Sequence, residues 1–126
     1  MLMVDAACTT GDNTFATIDD GEPAGSCWFE TGISNTLWYG FVAPASGNVT
    51  VSTDYATSNN DTQLALYEST DGDCNNLSSL VQIACNDDGN GIEQYNSIMN
   101  AGGLVAGEMY YVQLDGYNGT IGEFCI

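Results

Sequence analysis

"TLWYGFVAPASGNVTVSTD", residues 36–54, alternates its side chains with a period of two on both sides of a single turn. On an extended chain successive side chains point to opposite faces, so Leu37, Tyr39 and Phe41 share one face and Trp38, Gly40 and Val42 the other. Both faces carry bulky groups, and the strand is expected to be covered on two sides. After "PASGN", Val49, Val51 and Thr53 alternate with Thr50, Ser52 and Asp54, the pattern of a half-buried strand. A period of two rather than 3.6 decides the fold class.

Working outward, the same pattern recurs in "TQLALYE" (62–68), "SLVQIAC" (79–85), "YNSIMN" (95–100), "EMYYVQLDGY" (108–117) and "IGEFCI" (121–126). In the fourth of these, Tyr110, Val112 and Leu114 oppose Met109, Tyr111 and Gln113. Clusters of Gly, Asn, Asp and Ser separate the strands, and no segment carries an apolar stripe at helical spacing with caps. The expectation is a single all-β domain over 1–126, an antiparallel β-sandwich of jelly-roll type with about seven to nine short strands. The opening "MLMV" is expected to be the first strand of this sandwich or a strand donated to another subunit's sheet.

The chain has 126 residues and is 44% hydrophobic, enough to bury a core on its own. It contains no Lys, Arg or His against 17 Asp and Glu, a formal net charge of -17. Carboxylates that repel one another need water, salt or bound cations to screen them. Nucleic acid and anionic lipid are excluded as direct partners, because both are bound through basic side chains. Five cysteines, Cys8, Cys27, Cys74, Cys85 and Cys125, lie scattered without a CxxC pair or a histidine. That favours disulfides and an oxidising, extracellular setting over a zinc site. The number is odd, so one thiol is free, bonded to another chain or separated from its partner. "MLMVDAAC" is too short and lacks the basic flank of a secretion signal, which reads as a mature or excised segment.

The order of motifs "LWYGFVAPASGNVTVST", "DTQLALYES", "CNNLSSLVQIACNDDGNG" and "LVAGEMYYVQLDGYNGTIGEFCI" resembles the bacterial pre-peptidase C-terminal-like domain, in the cysteine-bearing form found in secreted and cell-surface proteins. The resemblance runs from about residue 10 to 126. It implies a β-sandwich of jelly-roll type and a non-catalytic appendage of secreted peptidases, other hydrolases or adhesin-like proteins, some of whose relatives bind calcium. It also supports a Cys74–Cys85 disulfide, since these two cysteines flank a short excursion. Closing so small a loop is worth about 3 kcal/mol. Cys8 then pairs with Cys27, or with Cys125 to tie the ends together.

Residue types exclude most catalysis. A Ser or Cys nucleophile lacks its histidine or lysine base, and a metal site built on HExxH is equally impossible. "GNG" at 89–91 lacks the lysine of a phosphate-binding loop. Paired carboxylates suffice for glycoside hydrolysis, but 17 of them make some pair inevitable.

Calcium is the candidate cofactor, because it takes six to eight oxygen ligands from carboxylates, amides and water. "CNDDGNG" offers Asn86, Asp87, Asp88 and Asn90; "TSNNDT" adds Asn59, Asn60 and Asp61; "STDGDCNN" adds Asp71 and Asp73. Asp87 and Asp88 lead, with Asp61 next and Asn86 and Asp73 after them. The same residues also build turns and tolerate left-handed backbone, so each stretch has a purely structural explanation.

The function expected is a non-catalytic extracellular structural or adhesive module, calcium-stabilised, a self-assembling subunit of a cell-surface fibre whose partners are other copies of itself or extracellular components. Two alternatives stand beside it. One is an accessory domain of a secreted peptidase or other hydrolase. The other is a carbohydrate-binding module, with polysaccharide stacked on Trp28, Trp38, Tyr55, Tyr95 or Tyr117.

Overall fold

The two strands read from residues 36–54 go to different layers of the molecule. In a computed structural model, which describes residues 1–30, 32–55, 61–89, 91–92 and 94–126, eight strands form antiparallel sheets. They are β1 (Thr10–Asp12), β2 (Leu37–Val42), β3 (Val49–Ser52), β4 (Thr62–Ser69), β5 (Leu80–Asn86), β6 (Ile98–Ala101), β7 (Met109–Gly116) and β8 (Glu123–Cys125). The only helical pieces among the described residues are 3-10 turns at Leu77–Ser79 and Tyr117–Gly119. The all-β, antiparallel reading is what the molecule shows.

One layer is a four-stranded sheet in the order β2-β7-β4-β5. Facing it are two separate ribbons, β1–β8 and β3–β6. A jelly roll has two continuous four-stranded sheets, and here the second is split. The link from β2 to β3 crosses between layers instead of reversing as a hairpin. Gly47 N–H closes a turn onto Pro44 O at 2.9 Å, and Gly47 sits at φ 64 with Leu104 O only 2.7 Å from where a Cβ would lie. Only glycine fits that crossing.

The core lies between the layers. Phe41, Leu64, Leu66, Tyr110, Val112 and Leu114 from the four-stranded sheet meet Val51, Met99 and Phe124 from the ribbons. These are the faces assigned from the alternation in β2 and β7. The opposite face of the sheet is also covered, by a strap at residues 24–29. Trp28 is buried against Ala65 and Tyr67, and its Nε1–H donates to Leu64 O at 3.0 Å. Trp38 packs beside them, 5.4 Å from Tyr67. Of the aromatics considered for a sugar platform, Trp28 is thus buried and Trp38 partly buried against this outer core.

The cysteine assignments also change. Cys27 bonds Cys85, Cys8 bonds Cys125, and Cys74 is free and exposed. The expected Cys74–Cys85 pair fails on distance. Cys74 sits in the turn before β5, and from Leu80 to Cys85 an extended strand climbs about 17 Å away from that turn. A disulfide tolerates Cα atoms no more than about 7 Å apart. Strand β5 instead carries Cys85 under the strap, where the Cα of Cys27 is 6.0 Å away. The Cys8–Cys125 bond, which was one of two open choices, secures the β1–β8 ribbon.

Residues 1–4 form no strand of this chain's own sheets, against the reading of "MLMV" as its first strand; the first strand is Thr10–Asp12, which the sequence pattern missed because it is only three residues long. Leu2 nevertheless packs on the core and donates its N–H to Gly40 O at 2.8 Å.

Candidate metal centre

Strands β4 and β5 run antiparallel with Leu64 opposite Asn86. Continuing that register outward by one residue sets Gln63 against Asp87, and beyond them the residue leading into β4, Asp61, meets the turn that leaves β5. The pairing itself therefore gathers carboxylates that lie 26 positions apart in the chain. Asp61, Asp87 and Asp88 each offer an oxygen within 4.8 Å of the others. Two oxygens about 2.4 Å from a shared calcium ion stand at most about 4.8 Å apart, so this span suits one ion.

Asp87 holds the centre of the cluster and is buried. Its Oδ2 accepts Phe29 N–H at 2.6 Å and Gln63 Nε2 at 2.9 Å. Its Oδ1 is buried without a hydrogen-bond donor, as are Asp61 Oδ1 and Gln63 Oε1. Three buried oxygens of this kind in one corner are costly, since each loses its hydration and gains nothing in return. A cation held by the three carboxylates would meet such oxygens on Asp61 and Asp87. Gln63 is a candidate ligand that the sequence reading missed. Its position in a strand between apolar residues reads as a pattern break, and only the register reveals what it faces.

Electrostatics agree with the geometry. Burial, followed by the nearby charges of Asp88 and Asp87, pushes the Asp61 carboxyl up to about 6. Asp88 is also raised, by desolvation first and then by Asp87. Among side chains there is no cation to oppose this, because the chain has no Lys, Arg or His.

Beneath the acids lies a buried polar network that sequence reasoning also missed. Ser97 Oγ donates to Thr62 O at 2.6 Å and reaches Asn86 O at 3.0 Å, and Ser97 N–H donates to Thr53 Oγ1 at 3.0 Å. Thr53 and Thr62 share a hydroxyl contact. These bonds knit the ends of β3, β4, β5 and β6 together where the carboxylates emerge. Gly89 completes the turn because a Cβ there would lie 2.7 Å from Asn96 O.

The remaining sequence candidates separate from this cluster. Asn86 uses its Oδ1 to accept Ile98 N–H at 2.7 Å, which positions the start of β6. Asp73 is corrected as a member of the set: it sits beyond the far end of β4, a strand length of about 25 Å from Asp61. There it accepts Asn75 N–H at 2.9 Å and Asn75 Nδ2 at 3.0 Å. Asp71, its neighbour, accepts Asp73 N–H, Asn76 Nδ2 and Ser69 Oγ at 3.0, 2.6 and 2.8 Å. The stretch 71–76 is a turn closed by its own bonds. Asn59, Asn60 and Asn90 lie outside the described residues.

A further buried carboxylate, Asp115, has no part in the cluster. It accepts the backbone N–H groups of Ser34, Asn35 and Gly116, each at 2.8 Å, and so ties the strap's exit to β7. Set against known proteins, the chain matches no family model, no curated protein and no solved structure.

Proposed function

We propose that this chain is a non-catalytic extracellular structural or adhesive module whose sandwich is clamped at one end by calcium. The observation that carries the reading is the group of unpartnered oxygens on Asp61, Gln63 and Asp87, with Asp88 beside them, in a chain without a basic side chain. Four side-chain oxygens fall short of a full calcium shell, and water and backbone carbonyls complete it in such sites. An ion here ties the entry of β4 to the exit of β5. Through Asp87 it also steadies the strap at Phe29.

The two disulfides support an oxidising, extracellular location. The likeness in motif order to pre-peptidase C-terminal-like domains supports an appendage or surface-protein role over an enzyme. Burial of Trp28 and the packing of Trp38 count against a carbohydrate platform at those rings.

The test is the pair Asp61→Asn with Asp88→Asn, melted with calcium and with chelator. These two carboxylates form the cluster without the hydrogen bonds that Asp87 gives the fold. In chelator the variant should melt at or above the parent, because repulsion is relieved. At calcium a hundredfold over its Kd the parent should gain about 2.7 kcal/mol and the variant little. Equal melting of the parent with and without calcium rejects the metal.

A further inference from the structure

The split in the second layer leaves a groove. Strand β3 pairs with β6 along one edge, and no strand borders its other edge among the described residues. Beyond that edge is a cavity of about 380 Å³, lined by β3, by residues 2–7, by Thr9 and Ile126, and by the core residue Phe41. Thr9 and Ile126 continue the β1–β8 ribbon, since each donates its N–H to the other's carbonyl at 2.7 and 2.9 Å. The groove thus separates the two ribbons and reaches the core, as a missing strand would. An open strand edge is a template for pairing with another chain.

We propose that this groove takes a strand from a second copy of the chain, and that the strand is residues 1–4. This deepens the structural-module reading by naming its partner, and it does not use the calcium cluster.

Charge selects the occupant. A chain at -17 repels its copies over most of its surface, so the parts that meet must be uncharged. The groove has one carboxylate in its lining, Asp5, among Val, Thr, Ser, Ala and other uncharged groups. Residues 1–4 have no charged side chain, and they expose Met1 by 78%, Met3 by 74% and Val4 by 40%. Leu2 shows what this stretch does against its own body: it packs on the core and bonds the edge of β2. A strand of four residues also matches the four of β3.

The chain has the reach and the hinge for exchange. The disulfide at Cys8 fixes the stretch at its far end. Seven extended residues ahead of it span about 24 Å. Between arm and anchor lies a turn in which Ala6 N–H bonds Met3 O at 3.2 Å and Asp5 adopts φ 62. The left-handed region is unfavourable for a residue with a Cβ, so straightening this turn relieves strain. Exchange of an identical element between copies is a low-cost route to association.

The test mixes two proteins, both carrying Cys74→Ser so that the free thiol cannot interfere. One carries Met3→Cys and the other Thr50→Cys, and they are oxidised mildly in chelator at salt sufficient to screen the acids. The proposal expects a peptide linked from residue 3 of one chain to residue 50 of the other, in several-fold higher yield than for Met3→Cys mixed with Thr70→Cys. It also expects the parent to scatter light at twice the single-chain mass or more. Removal of residues 1–7, or Leu2→Asp with Met3→Asp, should restore the single-chain mass. The charged variant keeps the chain length should the truncation fold poorly. Equal cross-linking to residues 50 and 70, or a parent that stays a single chain up to millimolar concentration, overturns the proposal. A bond between cysteines placed at 3 and 50 of the same chain, with none between chains, does so as well. Because chelator is present throughout, failure here leaves the calcium reading standing, and loss of the calcium effect leaves this one.

Discussion

Two acidic turns at opposite ends of the β4–β5 hairpin look alike in sequence and behave oppositely. The turn at 71–76 supplies its own donors: a backbone N–H, an Asn amide and Ser hydroxyls surround Asp71 and hold its carboxyl well below the usual range. The corner at Asp61, Asp87 and Asp88 brings carboxylates together from distant positions, buries oxygens without donors and pushes Asp61 up to about 6. An Asp-rich turn that satisfies itself has no use for an ion. One that leaves buried oxygens unpaired still lacks donors for them.

The cysteines beside these two turns offer the largest way to break the comparison. Replacing Cys27 and Cys85 together with Ser should cost about 4 kcal/mol, since the bond closes a loop of 58 residues and holds the strap beside the acidic corner. Cys74→Ser, in the self-satisfied turn, should change stability by less than about 0.5 kcal/mol because the thiol is exposed and forms no disulfide. Denaturant unfolding of both variants measures the contrast, and an equal loss would mean that Cys74 takes part in the fold after all.

Asp87→Ala comes next. It strips Phe29 N–H and Gln63 Nε2 of their acceptor, so it should lose about 1–3 kcal/mol even in chelator. A loss confined to calcium-containing buffer would show that Asp87 serves the ion alone.

Titration sharpens the contrast with a smaller effect and opposite signs. Without calcium, Asp61 has a raised folded-state pKa, so its contribution is greatest below 3.8 and disappears as pH rises through about 6. Asp71 has a lowered one, so its contribution is present above 3.8 and disappears as pH falls further. In chelator the parent should therefore gain stability between pH 7 and 5, and Asp61→Asn should flatten that gain. Asp71→Asn should leave the rise intact and remove part of the fall at lower pH. Melting curves across this range decide it.

Much of the fold was legible in the chain. The alternation in residues 37–42 and 109–116 assigned the right faces to the core, because a period of two leaves no other way to bury Phe41, Val112 and Leu114 together. The three-residue strand β1 was not legible, being shorter than any pattern can establish. Nor was the fate of Trp28, because nothing in "SCWFE" tells a platform from a strap; its burial depends on Leu64 O and Tyr67 from another part of the chain. Within the site, Asp61, Asp87 and Asp88 were legible as acids on turns. Gln63 and Ser97 were not, since their roles exist only once the strands are paired.

What the sequence determined by itself was therefore local and compositional: an all-β chain, its core faces, its excess of negative charge and the absence of the bases that most hydrolytic chemistry needs. Side-chain alternation and residue type are properties of a few neighbouring positions. What the tertiary structure alone decided was every pairing at a distance. It joined Cys85 to Cys27 instead of Cys74, divided two similar acidic turns into one closed and one open, and left β3 without an outer strand among the described residues. Those outcomes follow from strand order and register, which bring together groups that no local pattern relates.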